Sequence, residues 1–363
     1  MIRKFSAVLL VSLAVCSAGT ADAAFVLNAL SGFGGSDGWL SPGESTFLQG
    51  ANLQRGFAYN GATNQVILAD RNTGTFLRAL NGDTGALVNN LDVTGVTGGL
   101  FSINMVDVGD DGAIYAGNLA STTAFRIYRW ADSSPTTVPS IAFNGLSGYA
   151  RTGDSFAVNG AGVNTRIIAS GSGSTGIAVY NTFDGESFTQ TSSALTPIVG
   201  SPSGAYNLGL DFLDSDTAIG KTVTLPFYTA EIDLNTASTF ATGLLDANER
   251  PLAFYAPDNL LATVQTNSSL VRLYDATNLS SLTLLSSMNL TSAFVANTNG
   301  VGDMAFGVGP GGLRLYALNT NNGIQAFSVT AVPEPGSILL ATLFGVGVVA
   351  RRRFVAKRKT VAE

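Results

Sequence analysis

Six times between residues 57 and 330 the chain repeats one unit: an alternating strand, a turn of Gly, Asn, Asp or Pro, and a second apolar strand. The copies read FAYNGATNQVILA from Phe57, VDVGDDGAIYA from Val106, FAVNGAGVNTRIIA from Phe156, LDFLDSDTAIG from Leu210, LAFYAPDNLLATV from Leu252 and MAFGVGPGGLRLYAL from Met304, with starts 42 to 54 residues apart. A third strand follows most of them, at 76–80, 125–129, 177–180, 270–274 and 324–329, and leaves room for a fourth. Four short strands in roughly 40–50 residues, repeated, is the pattern of a β-propeller blade. One such sheet cannot bury both faces alone; a closed ring of them can. The pattern therefore predicts an all-β fold, a β-propeller of six blades. A seventh stays open, because the fourth copy is weak and residues 221–232 fit the unit poorly. Residues 25–48 precede the first copy and include Phe25-Val26-Leu27. They are expected to supply the outer strand of the last blade, whose own copy ends after three strands.

The charge pattern narrows function. The chain carries a net charge of −6, but residues 24–332 hold 11 basic against 22 acidic residues, a net charge of −11, while the tail from Arg351 carries +5. An acidic propeller argues against nucleic acid as a partner, since phosphate recognition needs a basic surface. Histidine is absent and Cys16 is the only cysteine. Ser-His-Asp triads, imidazole acid–base chemistry and His-ligated metals are thereby excluded, and thiolate chemistry with them if Cys16 is removed with an N-terminal export signal. What remains is carboxylate chemistry or an oxygen-ligated cation.

The two ends read as addresses. Arg3 and Lys4, an apolar stretch over 5–15 and Ala21-Asp22-Ala23 have the form of a secretory signal peptide cleaved after Ala23. At the other end stand Pro333, Glu334 and Pro335, an uncharged run over 336–350, and Arg351, Arg352 and Arg353. This tripartite tail resembles the PEP-CTERM sorting signal. The resemblance implies an exosortase-type transpeptidase as partner and a single transmembrane helix as anchor. Fifteen helical residues rise only about 22 Å against roughly 30 Å of hydrocarbon, so the span is short. The expected organisation is a signal peptide over 1–23, a propeller ectodomain over 24–331 and a sorting tail over 332–363. The expected location is an inner-membrane-anchored precursor, then the cell surface or extracellular space. Arg55-Gly56-Phe57-Ala58-Tyr59-Asn60, Ser102 to Val106, Asp110 to Leu119 and Phe125 to Trp130 also resemble an uncharacterised domain of exported bacterial propellers, which implies fold and export but no activity.

Candidate chemistry lies in the carboxylates. The first strand of each copy should line the central channel, and there Asp107 and Asp211 interrupt Ala, Val, Phe and Tyr. Each is expected to bond a neighbouring backbone amide, or the two to face the channel together. Asp211 with Glu231 or Asp233 is a nominal acid–base pair. Asp107, Asp110 and Asp111, and separately Asp211, Asp214 and Asp216, leave calcium open as a cofactor, although turn geometry accounts for both clusters. Trp39 and Trp130 sit beside loops and are candidates for stacking on sugars. The leading expectation is a non-enzymatic exported propeller used for binding or matrix building, with extracellular polysaccharide as a candidate partner. The alternative is a polysaccharide-active hydrolase or lyase with carboxylates in the channel. A channel plugged by apolar side chains would favour the first, and carboxylates gathered in a deep pocket the second.

Overall fold

A computed structural model describes residues 24–191, 202–223, 226–233, 236–239 and 244–332. Among these residues six antiparallel sheets follow one another along the chain. The first strands of the blades are Gln54–Asn60, Phe101–Val108, Ser155–Asn159, Gly209–Phe212, Glu249–Tyr255 and Gly302–Gly309. Each contacts the first strand of the next blade, and the last returns to the first, so the inner ring is closed. The fold is a six-bladed β-propeller, and Lys221 and Tyr228–Glu231 belong to strands of the fourth blade rather than to a seventh.

Strand periodicity explains why the ring holds together. In blade 1 the second strand, Gln65–Asp70, pairs on one side with Gln54–Asn60 and on the other with Phe76–Asn81. Successive side chains point to opposite faces. Val66 and Leu68 accordingly join the seam with blade 6, beside Tyr316, Leu318 and Ile324. Ile67 and Ala69 join the seam with blade 2, beside Ile103, Ile114 and Trp130. A second strand buried on both faces must read as a continuous apolar run, which is what VILA at 66–69 is. The same division recurs around the ring, giving one hydrophobic core at each of the six seams. Each fully buried large side chain contributes about 1.5–3 kcal/mol.

Closure follows the expectation from residues 25–48. Ala24–Ala29 pairs with Ile324–Val332 and becomes the fourth strand of blade 6. Phe33, Leu40, Phe47 and Leu48 then fill the seam between blades 6 and 1. Tight packing of the inner ring demands glycine at two places. A Cβ on Gly56 would lie 2.5 Å from Met105 Cα of the next blade, and one on Gly209 would lie 2.0 Å from Arg250 O.

The single transmembrane helix expected at the C-terminal end is corrected here. Among the described residues no helix is long and apolar enough to cross a membrane. The run over 336–350 is itself shorter than the ~20 residues a span requires. It lies outside the described residues, as do Ala21, Ala23, Pro333, Glu334, Pro335, Arg351, Arg352 and Arg353.

Candidate active site: a carboxyl trio in the central cavity

The first strands of blades 2, 4 and 6 each bring one aspartate to the channel: Asp107, Asp211 and Asp303. All three make the same pair of bonds. One carboxyl oxygen accepts the N–H of the following residue, Val108 at 2.8 Å, Phe212 at 2.8 Å or Met304 at 3.0 Å. The other accepts an N–H from the next blade, Val158 at 2.6 Å, Phe254 at 2.7 Å or Phe57 at 3.0 Å. Aspartate-bearing blades thus alternate with blades that donate. Asp303 stands two residues earlier on its strand than the repeat alignment places Asp107 and Asp211, and its donor Phe57 is displaced by the same two residues. Two residues of strand correspond to about 6.6 Å along the channel.

The cavity enclosed by the six first strands measures about 720 Å³. Tyr59, Phe156, Phe254, Tyr255 and Phe306 form much of its apolar wall, and no Lys or Arg is among the described residues lining it. The carboxyls keep some surface open to the channel, but protein surrounds them on every side, so bulk water does little to stabilise a charge. Burial pushes Asp107 up to about 8, with the Asp211 charge adding and the two backbone N–H groups opposing. Burial pushes Asp211 up to about 7 against the same kind of opposition from Phe254 and Phe212. Asp303 is raised well above the usual carboxylate range, by burial first, with the charges of Asp107 and Asp211 adding. Desolvation outweighs hydrogen bonding at all three because no cation shares the site.

Asp107 and Asp211 therefore do both things their sequence positions suggested: they bond neighbouring amides, and they face the channel together. Asp303 was not among the candidates, because the sixth copy is framed from Met304, one residue later. The signal that reveals it is an Asp followed by an apolar residue on the first strand of every second blade. The open cavity and its three carboxyls correct the expectation of a non-enzymatic ring, which a channel plugged by apolar side chains would have favoured.

Other candidates are dispersed. Asp211 is not joined by Glu231 or Asp233: Glu231 is exposed on the third strand of blade 4, paired with Thr217, and Asp233 forms an ion pair with Arg166. Asp111 accepts the N–H groups of Ala113 and Gly162. Asp214 caps the turn to Asp216 and Thr217, and Asp216 pairs with Arg166. Among the described residues no group of three acidic side chains is arranged to hold a metal ion. Trp39 and Trp130 are corrected from exposed stackers to core residues. They are 6 % and 0 % exposed, and their indole N–H groups donate to Asn322 O and Asp92 O.

No family model matches the chain, and no curated protein matches it. The resemblance to sorting-signal proteins is corrected by this result. The exosortase-type partner, the membrane contact and the inner-membrane-anchored precursor fall with it. Among solved structures, a DUF4623 family protein from Bacteroides eggerthii is 19 % identical and matches with a TM-score of 0.61 over 78 % of this chain and 72 % of its own. A gluconolactonase from Xanthomonas campestris is 14 % identical and matches with a TM-score of 0.49 over 87 % of this chain and 99 % of its own. The first of these likenesses speaks for the propeller fold.

Proposed function

We propose that the chain is a carbohydrate-directed hydrolase working by carboxyl acid–base catalysis in the central cavity. The observation that carries this reading is the convergence, on one open cavity, of three carboxyls without a cation partner, all raised above the ordinary carboxylate range and two of them, Asp107 and Asp211, close to neutrality. Groups poised in that range can both give and take a proton at physiological pH. Asp107, the more strongly raised of the level pair, is protonated at neutral pH and donates to the leaving oxygen. Asp211 is partly ionised and takes the proton of the attacking water. The two titrate as a coupled pair, so a pH–rate profile reports values of the pair. Asp303, displaced along the channel from that pair, faces the same cavity and is placed to hydrogen-bond a substrate hydroxyl.

The same features select the substrate. Five aspartates and, among the described residues, no Lys or Arg line the cavity, so an anionic substrate finds no counter-charge and the sugar is neutral. Tyr59, Tyr255 and Phe306 present aromatic surface to the apolar faces of its rings. One experiment tests the reading: release of reducing ends from a panel of neutral oligo- and polysaccharides between pH 5 and 9 (about two units either side of the expected pair), for wild type and Asp211→Asn. Turnover lowered at least ~100-fold in the variant supports it. No turnover by the wild type on any member, or equal turnover by both proteins, overturns it.

A further inference from the structure

A second cleft, of about 460 Å³, opens between blades 1 and 2, lined by Asn52, Leu53, Arg55, Arg71, Leu100 and Phe101 among others. Arg55 lies at the start of the first strand of blade 1, and Arg71 just follows the end of the second. Both are thus remote along the hairpin from the turn at Gly61 and Ala62 that borders the carboxyl cavity. In a chain this acidic, two arginines in one cleft need an explanation.

Among the described residues neither forms an ion pair, although the charges of Asp154 and Asp70 act on Arg55 and Arg71 from nearby. The Arg71 guanidinium is stacked 3.7 Å from the Phe101 ring centroid and held by neutral oxygens: Leu53 O at 3.2 Å, Asn104 Oδ1 at 3.3 Å and Asn52 O at 2.6 Å. Arg55 lies 5.9 Å from the same ring, and its Nε is buried with no hydrogen-bond partner among the described residues. The neighbouring carboxylates are already committed. Asp154 is held at both oxygens by Arg151, at 2.6 and 2.7 Å, and also accepts Ser172 N–H. Asp70 is taken by Arg78 and Gln54. Burial first, then the Arg55 charge, lowers Arg71 to about 10. A preorganised cation pair with a free buried donor is a site short of an anion.

We propose that this cleft binds a carboxylate-bearing organic ligand, its carboxylate on Arg55 and its apolar face on Phe101 and Leu100. Phe101 and Leu100 are 38 % and 59 % exposed and supply that apolar wall. A bare inorganic anion would leave most of the cleft unfilled. The proposal is independent of the reading of the channel.

The test is titration calorimetry on the full chain with glucuronate, a short oligouronate and inorganic phosphate as probes. Wild type is compared with Arg55→Gln and Phe101→Ser. Uronate binding is expected in wild type, weaker by at least about tenfold in Arg55→Gln. Added salt should weaken it further. Oligouronate preference over the monomer would mark a polymer end as the source of the carboxylate; equal affinity would mark a free acid. Without ligand, Arg55→Gln should melt at or above wild type, because it removes a cation from a like-charged pair. The proposal is overturned if the uronates fail to bind at about 10 mM, if phosphate alone binds, or if Arg55→Gln binds uronate unchanged. A marked fall in the ligand-free melting temperature of Arg55→Gln would also overturn it, by making Arg55 a packing residue.

Discussion

Two kinds of buried acid occupy this ring. Glu249 lies in the seam between blades 4 and 5, fully buried. It is held by Arg272 at 3.1 Å, Thr263 Oγ1 at 2.7 Å, the Tyr274 hydroxyl at 2.7 Å and the Asp246 N–H. Asp70 in blade 1 has the same character, with Arg78 at 2.7 Å and Gln54 at 2.6 Å. Asp107, Asp211 and Asp303 have backbone N–H groups and each other, but no cation. The paired acids tie strands together through their ion pairs and hydrogen bonds. The unpaired ones are raised by burial, Asp107 and Asp211 into the neutral range, and face the open cavity.

That contrast can be broken at either side. Glu249→Ala should have the largest effect, a loss of about 3–5 kcal/mol in denaturant unfolding, because the Thr263 and Tyr274 hydroxyls and the Asp246 N–H all lose their acceptor at a buried site and the partly exposed Arg272 loses its partner. Burial already lowers neighbouring Lys221 to about 8, with the Glu249 charge opposing, so removing Glu249 drives Lys221 lower still. Asp107→Asn should act the other way round. Carbohydrate turnover falls at least ~100-fold, while stability changes by no more than about 1–2 kcal/mol, the cost of one backbone N–H losing its acceptor.

The pH dependence of stability sharpens the contrast. A carboxyl raised in the folded state binds its proton more tightly there than in the unfolded chain. For Asp107 and Asp211 the folded form therefore gains on acidification. Their contribution is fully present below the ordinary carboxylate value and is lost as pH rises through about 7 and 8. The melting temperature should climb as pH is lowered from 8 toward 5, and the climb should shrink in an Asp107→Asn, Asp211→Asn double variant. An equally steep climb in that variant would remove the carboxyls as its cause. The smallest effect belongs to an exposed acid: Asp233→Ala breaks an ion pair with Arg166 but should cost under about 1 kcal/mol in the same unfolding assay, because Asp233 is 62 % exposed.

Parts of this molecule were legible in the chain before any coordinates. The six copies from Phe57 to Met304, each with a second apolar strand, were readable as blades, and with them the need for a closing strand from residues 25–48. Asp107 and Asp211 were visible as charges on strands otherwise apolar. Asp303 escaped because a repeat frame starting at Met304 excludes it. Trp39 and Trp130 were misjudged because proximity to a loop says nothing about which side of the backbone an indole takes. Glu231 and Asp233 are near Asp211 in sequence, yet they lie toward the outside of the blade while Asp211 faces the channel.

Sequence alone determined the architecture, because period-two alternation and turn residues are local properties, and their recurrence leaves a ring as the way to bury every sheet. It also determined the available chemistry, by withholding histidine and any second cysteine. Only the tertiary structure decided which acids are catalytic candidates. Asp70 and Asp107 look alike in the chain; an arginine across the sheet neutralises one, and the meeting of six strands leaves the other facing two more carboxyls with no cation in reach.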